Sequence, residues 1–219
     1  MAITYLTLLN RTLRKLREPQ VTDVTGNSDY VDLVAQLVNE AHEEVEEAWE
    51  WSYQNTTADI SIVSGTNLYA LTGWGEQHTI DTIYDDSKNF TLQGPITNAE
   101  MDQMYNYAVD TSTSAYFWTP YGQDSNGDPQ LKFYPSPGES TTVKVLGRVK
   151  QGWLSASGDM VKCPWRPVML LAYSYAVSER GEDGGIGVEE SRMDYATALS
   201  RAIASDLNLG HKDADWKVA

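Results

Sequence analysis

The residues closest to a known chemical motif are His42-Glu43 followed by Glu46. A helix carrying two histidines four positions apart, with a glutamate beside the first, can hold zinc and supply a general base. Here the second histidine is absent, so no metal site is expected. His42, His78 and His211 fall in three different stretches. Cys163 is the only cysteine, which excludes an intrachain disulfide and a cysteine-based zinc site. Its surroundings, VKCPW, read as packing rather than as a reactive thiol. No G-x-S-x-G elbow supports a serine nucleophile. The run Gly181-Glu182-Asp183-Gly184-Gly185-Ile186-Gly187 lacks the Lys-Ser/Thr of a phosphate loop, and its acids repel phosphate, so it reads as a linker. Glu44 or Glu47 would suit glycoside hydrolysis only if their environments pushed carboxyl pKa values apart. A one-sided, solvated acidic run does not do that. No catalytic residue, cofactor or metal is expected, and the chain is not expected to be an enzyme.

The element that carries most of these acids runs from Tyr30 to Trp51. Tyr30, Val34, Leu37, Val38, Ala41, Val45 and Ala48 recur at the spacing of one helical face. Glu40, Glu43, Glu44, Glu46, Glu47 and Glu50 occupy much of the remainder, with no Lys or Arg in the stretch. Glu40/Glu44, Glu43/Glu47 and Glu46/Glu50 would be like-charge pairs one turn apart, each costing ~0.2–0.5 kcal/mol. They lie toward the C-terminal end, where the helix dipole disfavours anions. Such a face is either simply solvated, or a surface that repels an anion or meets a basic partner.

The chain has 219 residues with 16 Lys and Arg against 31 Asp and Glu, a formal net charge of −15. That balance argues against a nucleic-acid clamp, which needs a basic footprint. It is compatible with a pore through which DNA slides, because an acidic wall repels phosphates. The charge is uneven: between Tyr30 and Leu131 the only basic residue is Lys88, while Arg11, Arg14, Lys15 and Arg17 crowd the N-terminal helix. A basic end and an acidic middle suggest surfaces that meet neighbours of opposite sign. No apolar run approaches the roughly 18 residues of a membrane span, so no membrane partner is expected. The short apolar start, leading straight into four cations, does not resemble a signal peptide.

The first helix is expected over residues 4–17, with Leu6, Leu9, Leu13 and Leu16 as its stripe and Pro19 as its stop. Ser28 or Asp29 is a plausible N-cap for the acidic helix. After Asn55 the period changes. Ile60–Val63 and Leu68–Leu71 read as two strands around a tight turn, followed by strands at 79–84, 115–118, 130–134 and 141–149. Thr97 or Asn98 would cap a short helix ending near Tyr107. Helical period returns at Pro164, with Gly181 as a stop, and a last helix is expected over 188–207 with Met193, Ala196, Leu199, Ile203 and Leu207 on its packed side. The fold class is therefore α+β. An antiparallel helical bundle built from residues 1–55 and 160–210 would carry an antiparallel β domain, 56–150, as an insertion, and residues 211–219 would form a tail.

Aromatic residues crowd the insertion, among them Trp74, Tyr84, Trp118, Tyr121 and Tyr134. On strands these are most often core and cross-strand pairs. A protein interface, or a sugar-binding face using Trp74 and Trp118, is the other reading. A carbohydrate-binding module is thus the alternative function, and a glycoside hydrolase the third.

The order of parts, with NEAHEEVEEAWEW before the insertion and PVMLLAYSYAVSERGEDGG and ESRMDYATALSRAIASDLN after it, resembles the head-to-tail adaptors of tailed bacteriophages. It is most similar to the tail tubular protein A type of short-tailed phages. The resemblance covers roughly residues 1–55 and 160–210, and the insertion matches only in position and length. It implies a non-enzymatic virion protein of the tail or neck, assembled in the host cytoplasm. Such a protein forms a ring, typically dodecameric, beneath the portal protein and extends the channel through which DNA passes unbound. Carried onto this chain, it implies that Lys212, Asp213, Asp215, Trp216, Lys217 and Val218 dock on the portal. The insertion, through Trp74, Trp118 and Tyr121, would face tail or nozzle proteins. The acidic residues Glu40, Glu43, Glu44, Glu47 and Glu50 would line the channel or meet Arg11, Arg14, Lys15 and Arg17 of a neighbouring subunit.

Overall fold

The structure, a computed structural model, describes residues 3–107, 114–181 and 186–210. In chain order its elements are β1 (Ile3–Thr4), α1 (Tyr5–Lys15), α2 (Asp29–Glu47), a 3-10 turn (Ser52–Gln54), β2 (Asn55–Ile62), β3 (Leu68–Ala70), β4 (His78–Asp85), β5 (Phe90–Thr91), α3 (Asn98–Tyr107), β6 (Phe117–Gln123), β7 (Pro129–Tyr134), β8 (Thr141–Val149), β9 (Met160–Val161), α4 (Trp165–Arg180) and α5 (Ile186–Gly210). The chain divides into two units, Met1–Tyr53 with Gln151–Ala219, and Gln54–Lys150. Mixed helices and antiparallel sheets make it an α+β protein.

In the first unit α1 starts at Thr4, whose hydroxyl accepts from the Thr7 amide at 3.3 Å. It ends with Arg14 and Lys15 in the last turn, where cations suit the helix dipole. Its buried arc is Tyr5, Leu8, Leu9, Thr12 and Leu13, continued by Leu16. Leu6, expected on that stripe, sits at the flank, partly buried. Ser28 occupies the N-cap of α2 but makes no side-chain cap bond, and Asp29 and Asp32 in the first turn meet the dipole instead.

α2 buries more than its apolar stripe. Val31, Val34, Ala35, Val38, Ala41 and Val45 are joined by Asn39, His42 and Glu46. Ala48, expected on the packed face, is exposed at the cap, and the helix stops at Glu47, so Glu50 lies beyond it. Glu46 therefore does not belong to the solvated acidic face. α4 packs against α1, α2 and α5, and Gly181, at φ +61, closes it in the left-handed conformation that glycine adopts without strain. On α5 the packed side is Val188, Tyr195, Leu199, Ala202 and Ile203, with Ser191 and Ala198 buried. Met193 and Leu207, expected there, are 69% and 45% exposed, and Ala196 is exposed. On so weakly amphipathic a helix, two nearly equivalent stripes compete, and the neighbouring helix decides between them.

The second unit holds two sheets, ordered β2-β8-β4-β5 and β3-β7-β6. The expected hairpin of residues 60–63 with 68–71 does not form. β2 pairs antiparallel with β8 along its length, from Asn55↔Arg148 to Ile62↔Thr141, while β3 pairs with β7. The Tyr69 hydroxyl fills the place of the first hairpin pair. It accepts from the Val63 amide at 2.8 Å and bonds the Val63 carbonyl at 3.1 Å, the groups that would have started a hairpin ladder. The core between the strands holds Ile62, Trp74, Ile83, Trp118, Leu131, Phe133, Val143 and Val145. Both tryptophan rings rest on glycine. A Cβ at Gly147 would overlap the Trp74 ring and the Thr79 carbonyl, and one at Gly94 would overlap Trp118. α3 begins with a reciprocal cap: Thr97 Oγ1 accepts from the Glu100 amide at 3.2 Å, and Glu100 accepts from the Thr97 amide at 3.0 Å.

Candidate functional site

The half-motif His42-Glu43…Glu46 builds a structural seam instead of a metal centre. Asn39, Glu43 and Glu46 lie about one turn apart on one side of α2, and each takes hold of the segment that follows the insertion. Asn39 acts as a surrogate peptide group: its Nδ2 donates to the Leu154 carbonyl, and its Oδ1 accepts from the Leu154 amide, both at 3.0 Å. Glu43 accepts from the Trp153 indole at 3.3 Å. Glu46, only 2% exposed, accepts the Gln151 amide at 3.0 and 3.1 Å and the Tyr53 hydroxyl at 2.7 Å. The Gln151 side chain continues the seam by bonding the Met160 carbonyl and accepting from the Lys162 amide, so it closes the edge of β9. The main-chain groups of Gln151 and Leu154 that meet α2 are thereby paired, as burial requires, whereas His42 Nε2 is buried without a hydrogen-bond partner among the described residues.

His42 lies within the seam with Nδ1 3.8 Å from Glu46, and burial pushes its pKa down against the pull of that carboxylate. Burial likewise pushes the Cys163 thiol up, away from thiolate chemistry. Among the described residues no group of three or more His, Cys, Asp or Glu is gathered for a metal ion, and no helix is long and apolar enough to cross a membrane.

The acidic residues of α2 share a region but not one environment. Glu40, Glu44 and Glu47 are exposed and Glu43 is half-buried, while Glu50 is exposed past the end of the helix. Glu44 accepts from the Tyr175 hydroxyl, and that phenol is raised in pKa by burial and by the adjacent carboxylate. Two of the basic residues lean on rings of α4. Arg11 stacks on the Trp165 ring at 4.2 Å, and the Lys15 ammonium lies 4.3 Å from the Tyr173 ring. Arg14 reaches the Gln20 side-chain amide, and Arg17 is exposed. Tyr173 and Tyr175 are two residues apart on α4, a rotation of about 200°. Lys15 leans on one and Glu44 on the other, so α4 separates a basic side of this unit from an acidic side.

In the insertion the structure corrects two expected contact residues. Trp74 and Trp118 are 5% and 3% exposed, because each ring fills core space above a glycine. They offer no face to a partner, which removes the basis for a sugar-stacking platform. Tyr121 is 44% exposed, with the Lys132 ammonium 4.7 Å from its ring. Tyr107 and Tyr116 are exposed beside it in rank, at 82% and 47%. Lys212, Asp213, Asp215, Trp216, Lys217 and Val218 lie outside the described residues.

Sequence reasoning passed over Trp153 and Tyr175. Trp153 is isolated between Gly152 and Leu154, and only its 60% exposure marks it out. Tyr175 sits in an apolar run whose two faces cannot be told apart by periodicity alone.

No curated protein matches the chain. A family description, SU10 adaptor protein, matches residues 3–216, tail residues included. With nearly its whole length matched, the chain belongs to the SU10 adaptor protein family, a family of structural adaptors of bacteriophages.

Proposed function

We propose that this chain is a ring-forming head-to-tail adaptor of the tail tubular protein A type, joining the portal to the tail and extending the DNA channel. The observation that carries the reading beyond family membership is the segregation of charge across α4, with Lys15 against Tyr173 and Glu44 against Tyr175. A subunit with opposite charges on opposite sides is suited to head-to-tail contacts, and such contacts form a ring when the rotation between neighbours closes, as a portal ring would impose. In this reading the helices of residues 1–55 and 160–210 form the ring wall as an antiparallel bundle. Arg14, Lys15 and Arg17 of one copy meet Glu40, Glu44 and Glu47 of the next. Residues 211–219 dock on the portal through Trp216, an aromatic anchor in a polar run. The inserted unit, residues 56–150, turns its exposed tyrosines Tyr107, Tyr116 and Tyr121 toward tail or nozzle proteins, since tyrosine is enriched at such contacts. DNA passes a wall of net negative charge without binding.

Light-scattering mass tests this, measured on the chain alone and after mixing with the portal ring of the same genome. A complex with one adaptor per portal subunit is expected, and deletion of Lys212–Ala219 abolishes it. An unchanged mass refutes the adaptor reading.

A further inference from the structure

The seam on α2 spends three side chains on holding one short segment, and the residue at the centre of that segment faces outward. Gln151 is fixed through its amide by Glu46, and Leu154 through both main-chain groups by Asn39. Between them Trp153 is 60% exposed, and its one polar atom is tied to Glu43. A large indole in water ordinarily samples several rotamers. Here the backbone is clamped on both sides and the N–H is directed, so the ring is held ready while its apolar face stays uncovered. Pre-organisation of this kind lowers the entropy cost of binding, and tryptophan is the residue most enriched among interface hot spots.

The surroundings specify the occupant. Glu40 and Glu47 lie one helical turn on either side of Glu43, both exposed, in the half of α2 where the dipole disfavours anions. An indole whose N–H is held by one carboxylate, with two more exposed one turn away on the same helix, suits a guanidinium, which stacks on the ring and pairs with a carboxylate at the same time. The chain carries such a group itself. Arg14 and Arg17 flank Lys15 at the end of α1 and just past it, and both are exposed.

We propose that Trp153 is the anchor of the contact between copies of this chain, receiving Arg14 or Arg17 of the neighbouring copy over its ring. This rests on the ring reading above and adds the residue at its centre. Rings are assembled on the portal ring from an equal mixture of isotopically light and heavy chains carrying a photoreactive benzoylphenylalanine at position 153. Light-to-heavy crosslinks to the peptide spanning residues 12–20 are expected. In parallel, Trp153→Ala weakens ring formation about thirtyfold while leaving thermal unfolding nearly unchanged. Trp153→Phe loses less, and Arg14→Glu with Arg17→Glu reproduces the loss from the other side. If rings form and the crosslinks fall elsewhere, or Trp153→Ala assembles like the parent, the anchor is refuted and the adaptor reading stands. If the parent chain, with Trp153 in place, forms no ring on the portal, both fall.

Discussion

Replacing Glu46 by alanine removes the acceptor of two donors inside the helical unit. The Gln151 amide, at 3.0 and 3.1 Å from the two carboxylate oxygens, and the Tyr53 hydroxyl, at 2.7 Å, both lose their partner at a site 2% exposed. An orphaned buried donor costs about 1–3 kcal/mol. Releasing a carboxylate from burial returns part of that, so a net loss of about 2–4 kcal/mol is expected. Glu46→Gln keeps one oxygen in place and costs about 1–2 kcal/mol. The assay is hydrogen exchange at single-residue resolution, which reports on this segment without assuming one cooperative unfolding step for two units. A factor of ten corresponds to 1.4 kcal/mol, so the Gln151 amide should exchange at least about thirtyfold faster in Glu46→Ala. The Leu154 amide, held by Asn39, should change less. An unchanged Gln151 rate in Glu46→Ala would refute the seam.

Three further outcomes follow from the same structure. Gly147→Ala should destabilise the inserted unit by about 1–3 kcal/mol or prevent its folding, because the new methyl meets the Trp74 ring and the Thr79 carbonyl; urea unfolding followed by near-ultraviolet dichroism reads this. Thr97→Ala removes half of the reciprocal cap on α3 and should cost about 1 kcal/mol in the same assay. The His42 pKa is lowered by burial, against the opposing pull of Glu46, Gln151 and Glu43. In the window below the unfolded value of about 6.5 the unfolded chain therefore binds more protons. Stability is full above that value and declines as pH falls below it, and His42→Gln should flatten the midpoint temperature between pH 7 and 5.5. The carboxyls of Asp23, Asp159 and Glu100, held low by their hydrogen bonds, lose their contribution in a more acidic window.

Much of the architecture was legible because it is local. The leucine spacing of α1, Pro164 before α4, Gly181 after it and the Thr97–Glu100 pair are signals within a few residues of the structure they make. Strand periods at 79–84, 130–134 and 141–149 reappear as β4, β7 and β8. Pairing was not legible. Adjacent strands joined by a tight turn ordinarily form a hairpin, yet β2 finds a full-length partner in β8 and β3 pairs with β7, while the Tyr69 hydroxyl takes the main-chain groups of Val63.

The candidate site divides along the same line. Its charge asymmetry, basic at Arg11–Arg17 and acidic at Glu40–Glu50, is written in composition, as is the lack of a complete metal or nucleophile motif around His42 and Cys163. Residue type alone placed Glu46 with the solvated acids, and it left Trp74 and Trp118 open between core and contact surface. Burial depends on what arrives from elsewhere in the chain. Gln151 lies 105 positions from Glu46 and converts an apparent surface acid into an internal acceptor, and Gly147 makes room for Trp74. The same long-range packing leaves Trp153 uncovered between two clamped neighbours and sets Lys15 against Tyr173 and Glu44 against Tyr175. Sequence by itself thus determined the helices, the strands at 79–84, 130–134 and 141–149 and the sign of each charged stretch, because these follow from short-range propensity and patterning, whereas the short β1, β5 and β9 and the extent of β6 did not show in it. Which polar groups are buried, which aromatics are exposed and which charges oppose one another were decided only by tertiary structure, because they are set by contacts between residues far apart in the chain.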